Sequence, residues 1–129
     1  MRTNGTTIIR AKKSRNHTEL LSKYLKLPIV IKSEKKHDKI KIKKVKVIKP
    51  INYNIPSDIS SSAFFIVLTV LRNNSELKIK NVNINPSRIG IIIILKKMGI
   101  KFIFNNIKIY KGERIADIKI KSPKTIKAI

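Results

Sequence analysis

The spacing of apolar residues switches between period two and period 3.6 along the chain, and each switch marks a predicted element. Gly5 to Arg10 has the β-branched content of a short strand and stops at the basic stretch Lys12, Lys13, Ser14, Arg15. A helix follows, because Leu20, Leu21, Tyr24 and Leu25 recur at helical spacing. Asn16 is placed to cap it through its side-chain oxygen, Glu19 to return the bond, and Pro28 to end it. Pro28 to Lys32 reads as a strand and Ser33 to Asp38 as a charged turn. Lys39 to Ile48 alternates apolar and basic residues, with a bulge expected where Lys43 and Lys44 break the alternation, and Ile51 to Ile55 resumes as a further strand.

The middle of the chain reads differently. Pro56 to Ser62 is a capping-type opening, with Ser57 or Asp58 as the cap, and it runs into an apolar segment that lasts to Leu71 and closes at Arg72, Asn73 and Asn74. A helix apolar nearly all round has to be buried nearly all round. Glu76 to Val82 alternates as a strand. Asn85 and Pro86 then supply a cap and a first-turn proline for a helix over Ser87 to Met98, with Gly99 at its exit. The four isoleucines from Ile91 to Ile94 alone would argue for a strand, and the proline and glycine at the two ends decide for helix. Ile100 to Phe104, Asn106 to Tyr110 and Ile115 to Lys121 complete the chain as strands. The predicted class is α+β, a repeat in which helices lie hidden behind sheets.

With 129 residues, 42% of them hydrophobic, the chain has the size and apolar content of one compact domain. Its longest apolar stretch, Ala63 to Leu71, is about half the roughly 18 to 20 residues a membrane span requires, so no membrane partner is expected. The first eleven residues carry no apolar block of signal-peptide length, which points to the cytoplasm. Absence of cysteine removes disulfides, thiolate metal sites and cysteine nucleophiles, and the two histidines, His17 and His37, form no ligand-spaced cluster, so neither a metal nor a cofactor is expected.

A net charge of +23 suggests nucleic acid at first sight, since clustered cations neutralise phosphates. Lys, however, outnumbers Arg severalfold, Ile and Asn are inflated, and Ala and Gly are scarce, the skew of an A+T-rich genome. Charge from such drift spreads over all solvated faces, whereas a nucleic-acid surface gathers Arg and aromatics in one place. Nucleic acid is therefore disfavoured as a partner, although the Lys39 to Lys46 alternation keeps a small basic nucleic-acid-binding protein as an alternative.

Two stretches, Ile55-Pro56-Ser57-Asp58-Ile59-Ser60-Ser61-Ser62-Ala63-Phe64-Phe65 and Asn85-Pro86-Ser87-Arg88-Ile89-Gly90 ending in Lys97-Met98-Gly99, resemble the enolpyruvyl transferases, and among them the 5-enolpyruvylshikimate-3-phosphate synthase family. Ser14-Arg15-Asn16-His17-Thr18-Glu19 upstream and Gly112-Glu113-Arg114-Ile115-Ala116-Asp117-Ile118 downstream extend the resemblance through nearly the whole chain. It implies a two-domain enzyme built from βαβαββ units whose outward-facing sheets cover buried helices. Residues 1–55 would be the remainder of the shikimate-phosphate-binding domain and residues 56–129 the first part of the second. The sequence departs from the family's pattern at Ser57, where glycine is usual, at Ile89, where threonine is usual, and at Arg10 and Ala11, in place of a Glu-Pro pair. The UDP-N-acetylglucosamine enolpyruvyl transferases are the nearest alternative of the same fold, and the Ser-Arg-Asn-His-Thr-Glu stretch favours the shikimate enzymes.

The implied chemistry adds the 5-hydroxyl of shikimate 3-phosphate to C2 of phosphoenolpyruvate with loss of phosphate, which requires cations for the anionic groups and carboxylates to move protons. Arg15 matches the family position that binds the 3-phosphate, Ser14 the neighbouring hydroxyl contact, and His17 lies near the same pocket. Arg88 either faces the cleft or reaches solvent, and Asp58 reads as a helix cap rather than an acid catalyst. No catalytic residue is assigned. The family's lysine-containing motif, Ser-Ala-Gln loop, catalytic acids and phosphoenolpyruvate-binding arginines would lie in N- and C-terminal segments outside this chain, so an internal fragment inactive alone is expected, with those segments as its partners. A split gene, an eroded gene or a non-functional remnant would each give such a sequence.

Overall fold

A computed structural model describes residues 5–12 and 14–128, and it divides into two compact units, Met1–Tyr53 and Asn54–Ile129. The first holds β1 (Thr6–Lys12), α1 (His17–Tyr24), β2 (Ile29–Ser33) and β3 (His37–Lys43). The second holds α2 (Ile59–Leu71), β4 (Glu76–Asn83), α3 (Gly90–Lys97), β5 (Phe102–Tyr110) and β6 (Glu113–Lys121). Each has one three-stranded antiparallel sheet, ordered β1-β3-β2 and β4-β6-β5. The series β1-α1-β2-β3 and β4-α3-β5-β6 therefore repeat one topology, strand-helix-strand-strand with the last strand central, in an α+β fold.

The first unit buries little. Ile40, at the centre of β3, is its one buried hydrophobic residue among those described, while Ile8, Ile9 and Val30 are exposed. In the second unit Ile59, Ile66 and Val70 of α2, Ile92 and Leu95 of α3, and Ile118 and Ile120 of β6 share one core, with Leu77, Ile79, Phe102 and Phe104 packed against it. Sheet alternation turns the lysines of these strands to the other face, so that Lys78 stands opposite Lys119 there.

Asp58 caps α2 as expected, accepting the Ser60 N–H at 3.1 Å from an extended backbone. The helix is apolar almost throughout, yet it buries one face within this chain. Ile66 is fully buried, whereas Phe64 is 80% and Leu68 63% exposed. Its start is tied to the sheet by a parallel bridge, Ser57 to Val82. Ser57 does not adopt positive φ, so serine stands there without strain where the family usually has glycine.

Several predicted elements are corrected. Lys39 to Ile48 is not one bulged strand: β3 begins at His37, inside the predicted turn, and ends at Lys43 where its partners β1 and β2 run out. Ile51 to Ile55 forms no strand: among the described residues the ladder contact to β4 comes two residues later, as the single bridge from Ser57 to Val82. The third helix begins at Gly90 rather than Ser87, because Asn85 closes a local turn first: its side-chain oxygen accepts the Ser87 N–H at 3.0 Å and its carbonyl the Arg88 N–H at 2.8 Å. The two strands expected either side of Asn105 are one, β5, continuous through a bulge at Asn106. A two-residue turn with Lys111 at φ 48° and Gly112 at φ 89° joins β5 to β6, the mirror-image turn that suits hairpin twist.

Candidate functional site

Ser14, Arg15 and Asn16 form the short connection between β1 and α1, and all three are exposed. Chain reversal here brings Ser14, Arg15 and His17 to the N-terminal end of α1, with His17 half-buried as its first residue. The expected capping box is not formed. Asn16 is the N-cap, but at φ −121° and ψ 24° it makes no side-chain capping bond. Arg15 thus stands one residue before the N-cap of α1, and the N-terminal end of a helix favours an anion.

Arg88 belongs to the second unit, where its side chain is mostly buried and engaged by its neighbours. Its side chain is 15% exposed and lies 2.9 Å from Asp58 Oδ1, and it also donates to the Ser60 hydroxyl. The turn ahead of α3 is thereby clipped to the start of α2. Partial burial pushes the Asp58 pKa up, but the Ser60 N–H, the Arg88 guanidinium and the Ser61 hydroxyl outweigh it, so the carboxyl sits below its ordinary range. An acid held ionised and fully engaged as a cap is unsuited to giving a proton at neutral pH, in keeping with the structural role read from the sequence.

One constellation was not foreseen. Asp117, 7% exposed on the central strand β6, accepts the Asn81 N–H at 2.9 Å on one oxygen and the Asn106 side-chain amide at 2.9 Å on the other. Asn81 and Asn106 are the left-handed residues of two bulges, on β4 and β5, that face each other across β6. The Asn81 N–H, then the Asn106 amide, hold the Asp117 carboxyl below its usual range. Asparagine tolerates left-handed backbone better than most residues, and that was the available signal at Asn81 and Asn106. Glu113 is also buried and receives the Asn85 amide at 3.3 Å, which fastens the turn before α3 to the start of β6.

Among the described residues no group of three or more His, Asp or Glu is arranged to hold a metal ion, and no helix is long and apolar enough to cross a membrane. The lysines are distributed over the outer faces of both sheets, as in the row Arg10, Lys39 and Lys32.

Comparison with known proteins gives one family throughout. The family model for EPSP synthase (3-phosphoshikimate 1-carboxyvinyltransferase) matches residues 1–129. A 3-phosphoshikimate 1-carboxyvinyltransferase from Thermoanaerobacter sp. (strain X514) is 40% identical over 119 residues, 91% of this chain and 27% of the relative. One from Petrotoga mobilis is 38% identical over 118 residues, covering 91% and 26%. The solved EPSP synthase from Acinetobacter baumannii superimposes with a TM-score of 0.81 at 36% identity, over 97% of this chain and 28% of that one. The chain spans about a quarter of the length of these relatives, and the matches favour neither a UDP-N-acetylglucosamine transferase nor a nucleic-acid-binding protein. By sequence over its whole length and by fold, the chain belongs to the EPSP synthase family.

Proposed function

We propose that the chain is part of a 3-phosphoshikimate 1-carboxyvinyltransferase, in which residues 1–55 complete the shikimate-phosphate domain and residues 56–129 begin the second. Arg15 is the principal contact to the 3-phosphate of shikimate. The observation that carries this reading is its position: an exposed arginine one residue before the N-cap of α1, at the positive end of the helix dipole. The guanidinium presents two parallel N–H donors to a pair of phosphate oxygens, and the helix start adds backbone donors and the favourable end of its dipole. Ser14 contributes a hydroxyl donor from the same connection, and His17 borders the pocket as the first residue of the helix.

This chain binds and orients; it does not move protons. Asp58, the acid of the Ile55-to-Phe65 stretch, is committed as a cap. Proton transfer and the grip on phosphoenolpyruvate fall to the remaining three quarters of the enzyme. Small burial in the first unit and the bare apolar face of α2 support the same division, since both are surfaces a larger fold would cover.

The test joins the chain to the flanking segments of the Thermoanaerobacter relative, fused or in trans, and measures shikimate 3-phosphate binding calorimetrically. Arg15→Ala is expected to weaken binding by about 1.5 to 3 kcal/mol, roughly ten- to a hundredfold, and Arg15→Lys to restore only part of it, since a point charge cannot make the paired contact. Unchanged affinity in Arg15→Ala removes Arg15 from the pocket. Turnover by the 129-residue chain alone would overturn the incomplete-enzyme reading.

A further inference from the structure

Outside the residues assigned above, the second unit carries a cleft of about 380 Å³ at one end of its sheet. Its walls come from the turn after α3, the outer face of β5 and β6, and the tail that follows β6. That tail is tied at both ends. Ser122 donates its N–H to the Ser75 carbonyl at 2.8 Å and accepts the Ser75 N–H on its hydroxyl at 3.0 Å, while Lys127 donates its N–H to the Met98 carbonyl at 3.1 Å. Residues 123–126 are strung between these anchors, so the cleft has a wall rather than an open rim.

Its chemistry is one-sided. Lys101, Lys119, Lys121 and Lys124 line it, and no acidic residue does. The nearest compensation is Glu76 across the sheet, whose two oxygens are divided between Lys119 at 2.7 Å and Lys121 at 3.1 Å. That one carboxylate is shared by two of the four lysines, and Lys101 and Lys124 form no ion pair among the described residues. Ser122 and Thr125 add hydroxyls to the lining, and the Ser122 hydroxyl, having accepted from Ser75, has its own proton to donate. Ile103 and Pro123 supply an apolar patch of wall.

We propose that this cleft binds a compact, multiply charged phosphate group. A volume of this order suits a small ligand, and the tail that closes one side disfavours a long strand passing through. The neighbouring concavity on the same sheet face makes a natural comparison: Lys78, Lys80 and Lys108 surround it, but Asp117 lies in its lining and repels an anion. Two basic hollows therefore differ in sign balance, and only the first has a surplus with nothing negative in its wall.

The experiment titrates the 129-residue chain with sodium pyrophosphate at fixed ionic strength and follows backbone amides by NMR. Saturable shifts centred on Gly99, Lys101, Ser122 and Thr125 are expected. The double variant Lys101→Gln/Lys124→Gln should raise the dissociation constant about tenfold, as expected for lost charge-assisted contacts. Lys78→Gln/Lys80→Gln removes the same charge from the other hollow and should change it by less than about twofold. Equal weakening in the two double variants, shifts spread over both lysine faces, or tighter binding of a single-stranded oligonucleotide than of pyrophosphate would each overturn the proposal. Because none of these residues belongs to the proposed shikimate-phosphate pocket, the outcome is independent of that reading.

Discussion

The exits of α1 and α3 both turn on a residue in the left-handed region, Lys26 at φ 54° and Gly99 at φ 91°. In each the next N–H reaches back five residues, Leu27 to the Ser22 carbonyl and Ile100 to the Leu95 carbonyl, both at 3.0 Å. Lysine carries a Cβ where glycine has none, so Lys26→Gly should stabilise by about 0.5 to 1 kcal/mol after the entropy glycine adds to the unfolded chain, as read from urea unfolding. Asn81 and Asn106 share that backbone conformation but serve Asp117 differently, one through its main-chain N–H and the other through its side chain. Asn81→Gly keeps its bond and should stay within about 1 kcal/mol of the parent, whereas Asn106→Gly and Asp117→Ala break theirs and should lower Tm by several degrees. Comparable melting of both glycine variants would refute the distinction. Asp58→Ala removes the α2 cap and the Arg88 partner together and should cost about 1 to 2 kcal/mol, most of it the cap because the carboxyl is nearly half exposed.

At the scale of elements, α2 has two apolar faces with opposite assignments. Ile66 lies in the core, and Ile66→Ala should cost about 2 to 5 kcal/mol. Phe64 and Leu68 project from the other face, so Phe64→Gln/Leu68→Gln should leave the unfolding midpoint nearly unchanged while reducing self-association seen by sedimentation velocity. A large loss of stability in the double variant would mean that this face is already covered. Composition alone made α2 a helix, since a long apolar run between a capping aspartate and an asparagine-rich exit has few other outcomes. Which face it buried was not legible, because Phe64 and Ile66 look equally hydrophobic until a sheet chooses one of them. The β5 bulge escaped detection for a related reason: Asn105 and Asn106 read as a break, and only pairing with β6 makes them a detour within one strand.

For the whole molecule, charge sets the response to acid. Asp58, Glu76 and Asp117 are all held below their ordinary pKa, Glu76 by Lys119 and Lys121. A carboxyl depressed on folding contributes stability that is complete above its unfolded pKa, near 4, and is lost as pH falls through its folded value. All three act in the same direction in a chain that carries +23 before any of them is protonated. Stability should therefore hold from about pH 7 to about 5 and fall steeply below about 4, with Asp58→Asn giving a shallower acid limb; unfolding midpoints measured down to pH 2 check this, and a flat profile would contradict it.

The sequence by itself determined the α+β class, the helices of the second unit, the Asp58 cap and membership of the EPSP synthase family, because periodicity, capping chemistry and ordered motifs are local and survive without knowledge of neighbours. The three-dimensional structure decided where β3 stops, that Ile51 to Ile55 forms no strand, that Asn85 delays α3 by a turn, and that Arg88 closes on Asp58. It alone brought Asn81 and Asn106 to the two oxygens of Asp117 and gathered four lysines around one cleft. Apart from the Asn85 turn, which is local, each of these depends on which strand edge or side chain lies opposite, a fact set by pairing between residues far apart along the chain.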